Sequence, residues 1–278
     1  MEKLYAAVVM YNSEITDSET CKNLVNIKNH DIIPIIVDNS TVSNKNKYLC
    51  VKRGWHYISM NGNKGLSRAY NSVLDYLQSK SGIVIWFDDD TNVTQEYFDV
   101  LEKSILAHEE CSVFVPVMQG QDGKFWSPNK ARFFKNKQMK SLGDTIPNSQ
   151  FNAINSCTAV KLNVYNDYRY NEKLFLDQVD HNFFEDQRNL RRKFCKMNIV
   201  IQHNFSTRNL EDNIDKIKPR YKIMIPDFLT FCSKNRIRYT LGVVKVLGWG
   251  VREGIRYKDV SFLFWCVGEI RKYPYKQN

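Results

Sequence analysis

The run Ile83-Val84-Ile85-Trp86-Phe87 passes without a break into Asp88-Asp89-Asp90. An unbroken stretch of β-branched and aromatic residues reads as a strand buried on both faces, the pattern of a parallel sheet covered by helices. Such sheets bind ligands outside the carboxyl ends of their strands, so the aspartates are delivered to one fixed point on the ligand edge. Three adjacent carboxylates repel one another unless a cation sits among them. Mg²⁺ and Mn²⁺ take oxygen ligands and commonly bridge one or two carboxylates to a substrate's phosphates. Taken alone, the triplet reads more simply as an acidic loop in which Asp90 or Thr91 caps the next helix. The rest of the chain has to decide between the two.

The first half alternates buried strands with helical patterns. Leu4 to Met10 reads as a strand, Thr16-x-x-Glu19 as a capping box opening a helix to about Lys28, and Ile32 to Val37 as a second strand ending in Asp38-Asn39-Ser40. A third strand near His56 to Met60 precedes the turn Asn61-Gly62-Asn63-Lys64-Gly65, which feeds a helix from Leu66 to Leu77. Strands separated by helices imply parallel pairing through right-handed crossovers, an α/β sheet with helices on both faces. Tyr11-Asn12, Asp38-Asn39, the Asn-Gly turn and the aspartates are then expected along one edge.

At 278 residues the chain is long enough for a full core. Its seven cysteines are scattered with no Cys-x-x-Cys pair, so neither a disulfide framework nor a zinc site is indicated and reduced thiols of a cytosolic protein are expected. No signal peptide and no uncharged apolar run of about 18 residues is visible.

Charge marks an expected boundary. Residues 1–215 hold 26 Lys/Arg and 26 Asp/Glu, whereas residues 216–278 hold 14 Lys/Arg against four Asp/Glu. Residues 1–215 are read as one domain, in two halves of 1–118 and 119–215, and residues 216–278 as a separate region. The basic tail also carries Tyr221, Phe228, Trp249, Phe262, Phe264 and Trp265. Cations beside large apolar groups suit a helical region whose apolar face enters a headgroup boundary. Packed helices with a membrane-facing side are the first expectation and pure packing the second. No nucleic-acid partner is expected, although basic and aromatic groups together can bind one. A homodimer through the tail stays open.

Each edge element has a use if the ligand is a nucleoside diphosphate. Asp38 can accept from a pyrimidine ring N–H, Gly65 lets a helix N-terminus approach, and Lys64 and Arg68 can neutralise phosphate. Asp88 can hold ribose hydroxyls while Asp90 holds the metal. The plainer roles are a turn residue for Asp38, a solvated side chain for Arg68 and relief of backbone strain for Gly65. The glycine spacing matches neither Gly-x-Gly-x-x-Gly nor a Walker loop.

In order along the chain, Val8-Val9-Met10-Tyr11-Asn12, Ile36-Val37-Asp38-Asn39-Ser40, Asn63-Lys64-Gly65-Leu66-Ser67-Arg68-Ala69-Tyr70-Asn71 and Trp86-Phe87-Asp88-Asp89-Asp90 resemble the nucleotide-sugar half of family 2 glycosyltransferases with a GT-A fold. The nearest resemblance is to bacterial rhamnosyl- and galactofuranosyltransferases of surface polysaccharides. It implies a nucleotide-sugar donor held by Tyr11, Asn12, Asp38, Asn39, Asn63, Gly65, Arg68, Asn71, Asp88 and Asp89, with Mn²⁺ or Mg²⁺ on Asp90 and Asp88. Rhamnosyltransferases more often carry Asp-Gln-Asp where this chain has Asp-Asp-Asp, which leaves the donor sugar open.

The segment from Tyr170 to Phe183, Tyr-Asn-Glu-Lys-Leu-Phe-Leu-Asp-Gln-Val-Asp-His-Asn-Phe, is similar to the family's acceptor-side helix opening. The resemblance implies Asp180 as catalytic base with Asp177 in support, and Asn182 stands where an acidic residue is usual. Read from the residues alone, Asp177 is an N-cap and Asp180 a first-turn carboxylate favoured by the helix dipole. His203, after an expected short strand from Asn198 to Gln202, is backed as a third metal ligand by the same resemblance, and His30, His56, His108 and His181 as non-ligands.

These readings imply an inverting transfer from dTDP-rhamnose or a UDP-sugar to a glycan or lipid-linked glycan of a bacterial O-antigen or capsule. The expected location is the inner face of the cell membrane. A sugar nucleotidyltransferase and a non-catalytic carbohydrate- or nucleic-acid-binding protein are the rival classes. No pattern is readable in Gln119 to Gln150.

Overall fold

The computed structural model describes residues 2–28, 31–133, 135–203 and 214–275; of His203 only the backbone is described. The chain divides into two compact units, one of Met1–Tyr170 and Phe183–Phe205, the other of Asn171–Asn182 and Ser206–Asn278.

The first unit is built in chain order from β1 (Leu4–Met10), α1 (Glu19–Leu24), β2 (Ile32–Asp38), α2 (Asn46–Arg53), β3 (His56–Ser59), α3 (Leu66–Leu77), β4 (Ile83–Asp88), α4 (Gln95–Ala107) and β5 (Val113–Gly120). There follow β6 (Phe125–Ser127), β7 (Asn129–Lys130), β8 (Lys137–Gln138), β9 (Phe151–Asn152) and β10 (Thr158–Lys161). The helix α5 (Val179–Asn189) begins in the second unit, and β11 (Phe194–His203) closes the first. The main sheet has eight strands in the order β11-β5-β10-β4-β1-β2-β3, with β6 on β5, while β7, β8 and β9 form a small sheet of their own.

β1 pairs in parallel with β2 and β4, and β2 with β3, so the expected edge exists: Met10 lies opposite Asp38 and Val9 opposite Asp88. The sheet is mixed because β10 runs antiparallel between β4 and β5. Residues 4–8 of β1 and 83–87 of β4 are all buried, as continuous apolar strands between two helix layers should be. Each such large side chain contributes about 1.5–3 kcal/mol. Below the aspartates, Trp86 donates its ring N–H to the Tyr165 hydroxyl at 3.0 Å, and Tyr165 meets the Tyr170 hydroxyl at 2.9 Å. Tyr70 packs on Trp86 from α3. These bonds satisfy the polar tips of a buried aromatic cluster, and burial holds the Tyr165 and Tyr170 hydroxyls neutral by pushing their pKa up.

Three local expectations are corrected. Ser18, not Thr16, caps α1, its hydroxyl accepting from Cys21 N–H, and the helix stops at Leu24. Thr94 rather than Asp90 or Thr91 caps α4. The strand expected to end before His203 instead includes it, running ten residues from Phe194 to His203. All seven cysteines are buried thiols.

Gly82, just before β4, holds φ 126°, and a Cβ there would press into the Lys3 carbonyl oxygen. That oxygen accepts from Ile83 N–H at 2.9 Å, and the Gly82 carbonyl accepts from Leu162 N–H at 2.9 Å. Gly82→Ala therefore combines a disfavoured φ with a backbone clash, and is expected to lower stability by about 2–4 kcal/mol in urea unfolding.

The second unit holds α6 (Ile214–Cys232), α7 (Arg236–Tyr257) and α8 (Ser261–Lys272). Tyr221, Phe228 and Phe262 are buried, with Tyr221 edge-on to Phe262 and Phe228 against Trp249. Aromatics read from composition as interfacial thus form the core of the helices, and Phe264 is the ring of α8 left exposed. No helix among the described residues is long and apolar enough to cross a membrane.

Candidate functional site

The turn that follows β4 is clamped by hydroxyl groups from the loop after β1 and the first turn of α1. The Thr20 hydroxyl donates to the Asp88 carbonyl at 2.6 Å and the Thr91 carbonyl at 3.0 Å, and accepts from Thr91 N–H. Ser18, while capping α1, donates to the Asp89 carbonyl at 2.6 Å. Ser13 donates to the Asp89 carboxylate. Burial and the neighbouring Asp90 charge push Asp89 above its ordinary pKa, with the Ser13 bond opposing them. Asp89 is therefore engaged within the protein; at the same turn Asp88 is half-buried and Asp90 exposed.

A second turn lies beside this one. Cys157, at φ 57°, donates its N–H to the Trp86 carbonyl at 2.8 Å, and the Ser156 hydroxyl lies 3.2 Å from that of Thr91. Ser13, Ser18, Thr20 and Ser156 went unread in the sequence. The available signal was a cluster of hydroxyl residues just past the carboxyl end of β1.

At the end of β2, Asp38 is buried and accepts from Ser40 N–H at 3.1 Å and the Tyr57 hydroxyl at 3.0 Å. Burial pushes this carboxyl up, and hydrogen bonds from Ser40, Asn44 and Tyr57 outweigh it, holding the group below its ordinary value. Asp38 is thus a charged, pre-oriented group. Asn39 donates to the Asn63 side chain at 3.0 Å and accepts from Lys64 N–H at 2.8 Å, and Asn63 in turn accepts from Gly65 N–H. These bonds fix the turn before α3, where Gly65 takes φ 88° that a side chain would disfavour. Asn12, at φ 54°, accepts from Thr41 N–H and donates its own N–H to Ser40, tying the first loop to the second. Tyr11, Lys64 and Arg68 are exposed at the same edge.

Asn71 is a correction. Its amide bonds the Tyr170 backbone at both ends, donating to the carbonyl at 3.0 Å and accepting from the N–H at 2.9 Å. It points from the buried face of α3 and organises the chain at Tyr170 rather than facing the edge.

The segment Asn171–Asn182 lies in the second unit and has its own frame. Asp227 of α6, 2% exposed, accepts from three consecutive backbone N–H groups: Phe175 at 2.8 Å, Leu176 at 2.8 Å and Asp177 at 2.7 Å. Burial pushes the Asp227 carboxyl up while these three donors pull it down. Asp177 forms a two-pronged ion pair with Arg220, which raises the Arg220 pKa further. Asp177 therefore does not cap α5, because its side chain is committed to Arg220. Asp180, in the first turn of α5, accepts from His181 N–H at 2.7 Å and lies 2.9 Å from His181 Nδ1, both through Oδ1. Arg220 and Asp227 were missed in the sequence. A lone aspartate inside the apolar run Ile225-Pro226-Asp227-Phe228-Leu229 was the cue.

Among the described residues, no group of three or more His, Cys, Asp or Glu side chains is gathered closely enough to enclose a metal ion. The His203 side chain and all of His30 lie outside the described residues. Asp88 and exposed Asp90 offer hard oxygen donors at the sheet edge, a set that fits Mg²⁺ or Mn²⁺ shared with substrate phosphates rather than an all-protein cage.

Comparison with known proteins places this geometry in a family. The dTDP-rhamnosyl transferase RfbF of Shigella flexneri is 26% identical over 182 residues, which cover 64% of this chain and 60% of that protein. The match thus spans less than two thirds of the relative's length. Among solved structures, the mannosyltransferase PcManGT from Pyrobaculum calidifontis, in complex with GDP-Man and Mn²⁺, has a TM-score of 0.57 at 10% identity, covering 98% of this chain and 87% of that one. Glucosyl-3-phosphoglycerate synthase from Mycobacterium tuberculosis, in complex with Mn²⁺, uridine diphosphate and phosphoglyceric acid, has a TM-score of 0.51 at 12% identity, covering 81% and 77%. The mixed, mainly parallel sheet is a GT-A fold. The sequence profile of Glycosyl transferase family 2 matches residues 5–169, more than half of the chain, and the chain belongs to that family.

Proposed function

We propose that this chain is an inverting, metal-dependent glycosyltransferase that moves a sugar from dTDP-rhamnose or a UDP-sugar to a hydroxyl of a lipid-linked bacterial surface polysaccharide at the cytoplasmic membrane face. The observation that carries the reading is the clamped Asp88–Asp90 turn at the carboxyl edge of a family 2 domain. The relative's name, a dTDP-rhamnosyl transferase, supports the donor.

Asp38 accepts from the base ring N–H, Asp88 from ribose hydroxyls, and Asp90 with Asp88 holds Mn²⁺ or Mg²⁺, with His203 as a third ligand. The bound ion supplies charge neutralisation for the departing diphosphate. Tyr11, Asn12, Asn39, Asn63 and Gly65 shape the nucleotide edge, and Arg68 balances phosphate charge. Asp180 takes the proton of the acceptor hydroxyl, whose oxygen bonds to the anomeric carbon as the bond to the diphosphate oxygen breaks. The nucleoside diphosphate leaves with that electron pair, and single displacement inverts the centre.

Calorimetric titration with dTDP and UDP, with and without Mn²⁺, tests the nucleotide reading. At least about tenfold tighter binding with Mn²⁺ is expected for one of them, and Asp90→Asn is expected to remove the gain. Equal affinity with and without the ion rejects it. Pyrophosphate release from NTP and sugar-1-phosphate would instead assign a nucleotidyltransferase.

A further inference from the structure

The helices of the second unit bury three of their four carboxylates and expose most of their cations. Asp227, Glu253 and Glu269 are all buried. Glu253 accepts from the Tyr221 hydroxyl at 3.0 Å and pairs with Arg252, and Glu269 pairs with Lys272 at 2.6 Å. Each pair places the acid inside and leaves the basic head group at the surface, where Arg236, Arg256, Lys258 and Arg271 are also exposed. Between residues 214 and 275 only Asp215 and Asp259 remain as acids outside the buried set.

Between these cations α7 carries an apolar stripe turned to solvent. Ile237, Leu241, Val244, Val251 and Ile255 are exposed, the two terminal isoleucines by 76% and 74%. With Gly248 in the gap, where nothing lies within 4 Å of a Cβ, their spacing alternates between four and three residues, so they form one line along the helix. On α8 the ring of Phe264 is 71% exposed. The opposite side of α7, with Gly242, Val246 and Gly250, is buried.

We infer that this face of α7 docks on an anionic lipid surface, its aliphatic stripe entering the headgroup boundary and its arginines meeting lipid phosphates. Apolar area flanked by cations is the pattern such binding requires, and withdrawal of the acids leaves no negative charge on the helix to oppose it. A second copy of the chain is disfavoured by the same charges. The single acid of α7, Glu253, is buried, so two α7 stripes packed together would set arginine against arginine with no exposed acid on either helix to pair with them. The inference goes beyond the proposed transfer reaction and rests on none of its steps.

Flotation of the full chain with vesicles of phosphatidylglycerol and phosphatidylcholine, against phosphatidylcholine alone, is the test. The chain is expected to float with the anionic vesicles at low salt, to be released as salt rises, and to stay down with the zwitterionic ones. Ile237→Asp/Ile255→Asp should bind on the order of tenfold more weakly or worse, with thermal melting and nucleotide titration unchanged. Val244→Asp serves as a second variant should the double variant not fold. Absence of flotation on anionic vesicles at low salt, or equal flotation of the variants, overturns the inference. A dimer in sedimentation that these variants convert to monomer would assign the stripe to a second copy instead. Nucleotide titration reads the proposed reaction independently, so the two failures are distinguishable.

Discussion

Asp180→Asn is expected to lower kcat by about 10²–10⁴ while changing nucleotide affinity by less than about twofold. The substitution keeps the shape of the side chain and an oxygen that can accept from His181 N–H, the bond of 2.7 Å that orients Asp180. It removes the negative charge and the ability to take a proton. Both contacts with His181 use Oδ1, and the side chain is 24% exposed, so the proposed reaction assigns the acceptor's proton to Oδ2. Nucleotide affinity should hold because Asp180 is not among the residues assigned to the nucleotide. Steady-state kinetics beside calorimetry separates the two effects. A fall in affinity equal to the fall in kcat would point to a structural role for Asp180.

Asp227→Ala is expected to cost about 3–5 kcal/mol of stability in the unit that contains it, because removing one partner of a buried charged network leaves the others uncompensated. Three backbone N–H groups would lose at once the acceptor that Asp227, itself 2% exposed, presents to them. The Phe175–Asp177 backbone would be released while Asp177 still held Arg220, so the strand of chain leading to Asp180 would lose its fixed path. Asp227→Asn keeps one oxygen but turns an amide N–H₂ toward a donor, and about 1–3 kcal/mol is expected for that loss. Urea unfolding of both variants checks the order, and equal stability of Asp227→Ala and the parent chain would refute the assigned role.

The parts of the fold that were legible are those set by local pattern. Leu4 to Met10, the Ile83 strand and the helix from Leu66 to Leu77 came through because continuous apolar runs and a helical period fix them residue by residue. The place of β10 did not. A four-residue strand gives no local cue that it will run antiparallel between two strands formed much earlier. The same limit applied to the site. The positions of Asp38 and Asp88 at strand ends and of Gly65 just before a helix were legible from local pattern, whereas the clamp on Asp88 comes from Thr20, 68 residues away. Asp177 looked like a helix cap because its neighbours fit one, and its actual partner, Arg220, lies 43 residues further on. In the tail, composition gave the charge correctly but not its sorting. The aromatics fill the core and the aliphatic stripe of α7 is what remains outside.

The central claim, transfer from a nucleotide sugar with Asp180 as base, is met most directly by incubating the parent chain and Asp180→Asn with a panel of dTDP-, UDP- and GDP-sugars in Mn²⁺ and following release of nucleoside diphosphate. The account predicts release from one member of the panel by the parent chain, its loss when the ion is chelated, and a fall of about 10²–10⁴ in the variant. Release by the folded variant at the parent rate, or no release from any sugar, would contradict it.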